Sequence, residues 1–152
     1  MKKILPFLLL ALFVVLLIVG FLSQTTLNNF ISQKMKEQVG AETSLSVEKM
    51  VESKYNYSKN AQNFEFTLLE FGSTGCTICK QMEPVLEELR NTENPKINVV
   101  FLNIMQPENL PMMKYYGISA IPMQILLDKN GMEFFRNYGF ISAEELQTKF
   151  SM

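Results

Sequence analysis

The sequence contains no histidine, so it lacks the side chain that most often serves as a general base or metal ligand near neutral pH. Its only cysteines are Cys76 and Cys79. A Cys-x-x-Cys pair supplies half of a tetrahedral zinc site, and the chain has no ligands of the usual kind for the other half. We therefore expect chemistry by thiols and carboxylates, with no metal and no cofactor. A zinc site would have to form between two copies of the chain.

A basic surface is also missing from the C-terminal part of the chain. From Phe64 onward there are seven Lys and Arg against eleven Asp and Glu, a formal net charge of −4. This balance argues against a nucleic-acid partner. The length allows one ordinary domain with an extension.

The extension begins with a long apolar run. Met1 to Lys3 is basic, and the residues from Ile4 to Leu22 are apolar except for one proline and one glycine. Residues 1–22 are predicted to be a transmembrane anchor or signal segment, with residues 4–22 in contact with the membrane. Positive residues stay in the cytoplasm, so the domain is expected on the extracytoplasmic side, in a periplasm or at the cell exterior. The absence of a small-x-small cleavage site favours a retained anchor over export after signal cleavage.

Residues 23–63 are rich in Gln, Asn, Ser, Lys and Glu and are predicted to be a polar, partly helical linker. A first helix is expected to end at Gly40, and a second, short helix is expected after Ser44 or Ser46. We interpret the segment as a solvated spacer before a domain at residues 64–152. Partner recognition by Tyr55 and Tyr57 is the alternative.

The cysteines stand where a predicted strand gives way to a helix. Phe66 to Phe71 is an apolar run, Gly72 to Gly75 supply a turn, and helical composition follows to about Asn91. Free N–H groups and the helix dipole favour a thiolate at Cys76, which is therefore the predicted nucleophile. Cys79 lies one turn further along and is the predicted resolving thiol. A purely structural disulfide is less favoured, because so short a loop constrains the unfolded chain little.

The remaining elements follow as strand, helix, strand, strand and helix. The apolar run in Lys96–Met105 predicts a strand that is buried on both faces. A capping box predicts the start of the last helix, Ala143–Phe150. With the first strand and helix, this order predicts an α/β fold with a mixed four-stranded sheet flanked by helices. The predicted segments are Lys96–Met105, Gln106–Gly117, Met123–Leu127, Met132–Asn137 and Ala143–Phe150.

From about Phe66 to Phe150 the chain resembles the thioredoxin family. The resemblance is carried by Cys76-Thr-Ile-Cys79, Pro84, Ile121-Pro122, Asn130-Gly131 and Gly139. It implies a thioredoxin-like fold and a cis peptide at Ile121–Pro122. It also implies that Cys76 attacks a substrate disulfide, that a mixed disulfide forms, and that Cys79 releases the product.

Further site residues follow from this resemblance. Ile121, Pro122 and Gly75 are expected to bind substrate, because the free backbone edge beside Pro122 can pair with an extended peptide. Pro122 could instead simply begin a strand. Glu70 interrupts an apolar strand, so we expect a raised pKa and a role as the proton acceptor for Cys79. The alternative is a Glu70 carboxylate that faces solvent.

Several positions depart from the family. Gly72 and Gly75 replace aromatic residues, which predicts a less shielded nucleophile and a wider groove. Phe101 replaces a lysine that often faces the buried acid, which predicts a still higher pKa for Glu70. Thr77 and Ile78 match neither strong reductants nor strong oxidants, so the direction of electron transfer stays open.

The combined prediction is a membrane-tethered thiol-disulfide oxidoreductase in cell redox homeostasis. It would exchange disulfides with exported proteins, and a membrane electron-transfer partner would maintain its redox state. The first alternative is a non-catalytic thioredoxin-like peptide-binding module with a permanently oxidised disulfide. The second, and least favoured, is a peroxide-reducing thiol enzyme, because that chemistry needs a cation or hydroxyl network to activate the peroxide and only Thr74 and Thr77 are near.

Overall fold

The computed structural model describes residues 10, 12–13 and 24–151. The predicted anchor at residues 4–22 lies outside the described residues, apart from those three positions. None of the helices in the described ranges combines the length and apolar character needed to cross a bilayer.

Six helices and four strands are described from residue 24 onward, with a short 3-10 turn at Pro107–Asn109. Their order after residue 65 matches the predicted order. The helices are α1 (Gln24–Glu37), α2 (Ala41–Tyr55), α3 (Tyr57–Asn60), α4 (Thr77–Arg90), α5 (Leu110–Tyr116) and α6 (Ala143–Phe150). The strands are β1 (Phe66–Gly72), β2 (Ile97–Asn103), β3 (Met123–Leu127) and β4 (Glu133–Tyr138).

The strands form one sheet in the order β2-β1-β3-β4. β1 runs parallel to β2 and antiparallel to β3, and β3 runs antiparallel to β4. The predicted mixed four-stranded sheet is therefore confirmed. Because β1 and β3 are central, their side chains are buried on both faces of the sheet.

Two apolar cores lie on opposite faces of the sheet. Leu68 and Leu126 pack with residues of α4 and α6. Leu69, Phe71 and Ile125 pack on the other face with residues of α2 and α5. The alternation of β1 side chains between the faces follows from the two-residue period of a strand. It places Glu70 and Gly72 on the face that α4 covers.

β2 differs from the prediction of a strand buried on both faces. It lies at the edge of the sheet, where only Ile97 is buried and Phe101 is 41% exposed. An apolar run gives the composition of a strand but not its place in the strand order. The prediction was therefore wrong about burial and right about the strand.

The structure also differs from the spacer interpretation over residues 41–57. Val47, Val51 and Tyr55 recur every four residues along α2, so they share one helix face, and all three are buried in the core. The Tyr57 hydroxyl lies 2.6 Å from the hydroxyl of Thr67 on β1 and accepts a 2.9 Å hydrogen bond from Asn98. This part of the segment is packed against the sheet because the sheet face would otherwise expose apolar side chains.

The connections at the other end of the chain follow the prediction. The β3–β4 hairpin turns at Gly131, whose φ of 77° suits glycine. At the start of α6, the Ser142 side chain accepts from the backbone of Glu145, and the Glu145 side chain accepts from the backbone of Ser142. These contacts fix the turn between β3 and β4 and the start of α6.

Candidate active site

A disulfide joins Cys76 and Cys79 at the N-terminus of α4, with their Cα atoms 5.2 Å apart. Cys76 is the N-cap residue and has an extended backbone, with φ −85° and ψ 119°. The backbone N–H of Cys79 donates to the Cys76 Sγ at 3.2 Å. After reduction, this donor and the helix dipole favour negative charge on the Cys76 sulfur.

The two sulfur-bearing residues differ in their access to solvent. Cys76 is half-buried, whereas Cys79 is only 5% exposed. Thr77 and Ile78 between them are exposed. An incoming molecule therefore reaches Cys76 more easily than Cys79, as the predicted roles of nucleophile and resolving thiol require.

The ring of Phe101 on β2 lies against Gly72, near Cys79. A Cβ atom placed on Gly72 would lie 2.8 Å from the Phe101 ring and 3.4 Å from the Cys79 Sγ. The ring thus occupies space that a side chain at position 72 would need, and it borders a cavity of about 610 Å³ that Cys79 also lines. An aromatic ring therefore lies beside Gly72 and Cys79, from the neighbouring strand, whereas the weaker shielding of Cys76 stays a prediction.

Glu70 lies on the same face of β1, two residues before Gly72, and its side chain is fully buried. Gln124 Nε2 donates to its Oε2 at 2.8 Å, while Oε1 has no hydrogen-bond partner among the described residues. Burial raises the pKa of Glu70 to about 8, and the hydrogen bond from Gln124 opposes that shift. The alternative of a solvent-facing Glu70 does not hold, whereas its role in proton transfer stays a prediction.

Two polar residues next to this carboxyl group were missed by the sequence analysis. Gln124 is fully buried on β3, and Asn137 on β4 donates to its Oε1 at 2.8 Å. Glu70, Gln124 and Asn137 are paired positions on three adjacent strands. The available signal was a glutamine inside the otherwise apolar run from Met123 to Leu127, which needs a buried partner.

The predicted substrate loop lies at the same end of the sheet. The Ile121–Pro122 peptide is cis, as the resemblance implies. Pro122 precedes Met123, which pairs with Phe71 near the end of β1, and the Pro122 carbonyl accepts from the Gly139 N–H at 2.8 Å. Gly75 is exposed, with open space where a Cβ would stand. The fold brings these residues to the cysteine end of the sheet, and their substrate-binding roles stay predictions.

The raised pKa of Glu70 predicts a pH-dependent stability. The folded protein holds this proton up to about pH 8, whereas the unfolded chain releases it near the ordinary value of 4.5. The free energy of unfolding should therefore fall as pH rises between these values, by on the order of a few kcal/mol. In Glu70→Gln this decrease in the free energy of unfolding should be absent. Urea denaturation of the oxidised protein at pH 5, 7 and 9 measures it. Parallel pH curves for both proteins would contradict a buried, protonated Glu70.

Comparison with known proteins agrees with this geometry. The profile of the thioredoxin-like domain matches residues 52–151. The chain is 33% identical over 73 residues to a thiol:disulfide interchange protein, the TxlA homolog of Synechocystis sp., covering 48% of this chain and 41% of that protein. It is 31% identical over 94 residues to thioredoxin of Alicyclobacillus acidocaldarius, covering 62% of this chain and 87% of the relative.

Solved structures give the same fold. The exposed lipoprotein thioredoxin Etrx1 of Streptococcus pneumoniae superposes with a TM-score of 0.52 at 16% identity, covering 59% of this chain and 85% of that one. The profile match spans most of the chain and includes the cysteine pair, the cis-proline loop and all four strands. The chain therefore belongs to the thioredoxin-like domain family and carries the Cys-x-x-Cys disulfide of a thioredoxin-like disulfide oxidoreductase.

Proposed function

We propose that the protein is a membrane-tethered thiol-disulfide oxidoreductase that exchanges disulfides with exported proteins. The observation that carries this proposal is the Cys76–Cys79 disulfide at the start of α4, with one half accessible and the other buried. A buried carboxyl group lies on the sheet face beneath it.

In the reducing direction, the Cys76 thiolate attacks one sulfur of a client disulfide. The client S–S bond breaks, a Cys76–client disulfide forms, and the departing client sulfur takes up a proton. Cys79 then transfers its proton to the Glu70 carboxylate and attacks the Cys76 Sγ. This step closes the Cys76–Cys79 disulfide and releases the second client sulfur as a thiolate, which takes up a proton from water, so two electrons pass to the client. Oxidation of a client dithiol is the same sequence in reverse.

The pKa of Glu70 supports its part in this sequence. A carboxyl group with a pKa of about 8 is divided between its two forms near neutral pH. It can therefore accept a proton in one half of the cycle and return it in the other. An ordinary glutamate would stay ionised throughout and be a weak base.

Substrate recognition is proposed at Ile121, Pro122 and Gly75. Pro122 has no N–H, and its carbonyl already accepts from Gly139. We therefore propose that the backbone of Ile121, just before Pro122, pairs with an extended peptide. Gly75 leaves open space next to Cys76. A client segment lying across these residues would bring its disulfide to the accessible sulfur.

The compartment is proposed from the sequence. A basic start followed by the apolar run at residues 4–22 would hold the domain on the extracytoplasmic side, or mark it for export with later cleavage. In an oxidising compartment a reductant needs electrons from a partner, for which a membrane protein is the simplest source. The direction of transfer depends on the reduction potential of the cysteine pair.

Trapping with Cys79→Ser tests this proposal. Without the resolving thiol, the mixed disulfide at Cys76 has no intramolecular exit, so clients should accumulate on the protein. Non-reducing gels followed by mass spectrometry should identify them as exported proteins. The double variant Cys76→Ser, Cys79→Ser is the matched control and should capture none. Equal capture by both variants, or a pair that stays oxidised under every physiological donor, would favour the non-catalytic module.

A further inference from the structure

A row of three polar side chains crosses the sheet beneath the disulfide. Asn137 Nδ2 donates to Gln124 Oε1 at 2.8 Å, and Gln124 Nε2 donates to Glu70 Oε2 at 2.8 Å. Asn137 Nδ2 also donates to the Gly139 carbonyl at 3.2 Å. Gly139 is the residue whose N–H donates to Pro122. The row thus connects the buried carboxyl group to the loop proposed to bind substrate.

The direction of these hydrogen bonds is set by the main chain. The Gly139 carbonyl can only accept, so Asn137 must present its NH₂ group there, and its second N–H is directed at Gln124. Gln124 must then accept with its oxygen, which leaves its own NH₂ group to face Glu70. Because Gln124 can only donate to Glu70, the proton of a neutral Glu70 resides on Oε1, the oxygen without a described partner.

We propose that Gln124 and Asn137 are positioning residues for proton transfer: together they hold Glu70 Oε1 free to exchange a proton with Cys79. Gln124 hydrogen-bonds the oxygen that is not used, and Asn137 prevents the Gln124 amide from turning over. This inference rests on the proposed function of Glu70.

Among the described residues around Glu70, Gln124 and Asn137 are the ones able to position its carboxyl group. Across β2 the paired residue is Phe101, which carries no charge. On α4, which covers this face of the sheet, Met82 is apolar and buried in the core, and Cys79 and Glu83 line the same cavity. Gln124 and Asn137, on β3 and β4, do not titrate. Gln124 is thus the one hydrogen-bond partner of Glu70 among the described residues.

The test isolates the step in which Cys79 attacks. Reduced full-length protein is mixed with an aromatic disulfide reagent that releases thionitrobenzoate, first when Cys76 reacts and again when Cys79 displaces the label. The rate of the second release is measured against pH. Gln124→Leu removes a hydrogen bond that favours the carboxylate, so the midpoint should move up by about one pH unit and the rate at pH 7 should fall roughly tenfold.

Asn137→Ala should move the midpoint in the same direction by less, because a freed Gln124 amide can turn its oxygen toward protonated Glu70 and stabilise that form. If Gln124→Leu does not fold, this variant decides the matter. Thr67→Val is the matched control: Thr67 is equally buried on β1, but it faces the other core and bonds Tyr57. It should lower thermal stability without changing the pH profile.

Glu70→Gln separates the two proposals. If Glu70 is the proton acceptor, Glu70→Gln should slow the second release at pH 7 and leave a pH profile set by the Cys79 thiol alone. A Glu70→Gln protein with the rate and profile of the parent overturns that role. If Glu70→Gln changes the profile while Gln124→Leu and Asn137→Ala keep the parent profile, the row is only structural and the further inference is overturned.

Discussion

Cys76→Ser is expected to abolish disulfide exchange, with a fall in the reduction rate of insulin disulfides of a thousandfold or more, roughly the loss that follows removal of a catalytic nucleophile. A serine hydroxyl is not ionised near neutral pH and cannot form the mixed disulfide. The helix N-terminus and the Cys79 N–H would still be present, so the loss would be specific to the sulfur atom. A turbidity assay with a thiol donor and purified full-length protein measures it directly.

The control for this variant is Thr77→Ser, an exposed neighbour in the same helical turn. It should retain most of the activity, because neither hydroxyl lies on the pathway of the electrons. Activity retained in Cys76→Ser would show that the sulfur at this position does not start the reaction. The family assignment would survive that result, but the proposed activity would not.

A chain shortened to residues 64–152 is expected to lose most of its stability. It would lack Val47, Val51, Tyr55 and Tyr57, all buried in the intact protein. Each fully buried side chain of this kind stabilises by about 1.5–3 kcal/mol, so their joint loss is on the order of 6 kcal/mol or more. This is comparable with the total stability of an ordinary domain, about 5–15 kcal/mol. The removal of Tyr57 would also leave the buried Thr67 hydroxyl without its partner.

Thermal unfolding followed by circular dichroism, for residues 64–152 and for residues 41–152, measures this effect. The longer chain keeps α2 and α3 and should unfold cooperatively near the temperature of the full-length protein. Equal unfolding temperatures for the two chains would instead support the predicted domain boundary at residue 64.

Much of the fold could be predicted because each element carries its own signal. The strand from Phe66, the helix after the cysteines and the capping box at Ser142 all lie where local patterns indicate. The edge position of β2 could not be predicted, since strand order depends on pairings between distant residues. The burial of Val47 and Val51 was missed because their spacing was weighed against a polar surrounding sequence, while the sheet face they cover was unknown.

The site divides in a similar way. The cysteine pair and the unusual carboxyl group of Glu70 can be recognised in the sequence, because each is a chemical exception in its own segment. The contact of the Phe101 ring with Gly72 and the bond from Gln124 to Glu70 depend on the register between strands. When the sequence is compared with the family residue by residue, Gly72 is only a lost aromatic group. The comparison does not indicate which strand fills the space beside Gly72.

Glu70 pairs with uncharged residues on both β2 and β3, and this determines how its pKa responds to ionic strength. Its pKa is set by burial and by one neutral amide, not by attraction or repulsion between ions. Dissolved salt screens interactions between charges, so it should change the pKa of a buried group of this kind very little. The acid-base midpoint of Glu70 should therefore stay in place when the ionic strength of the solution is changed.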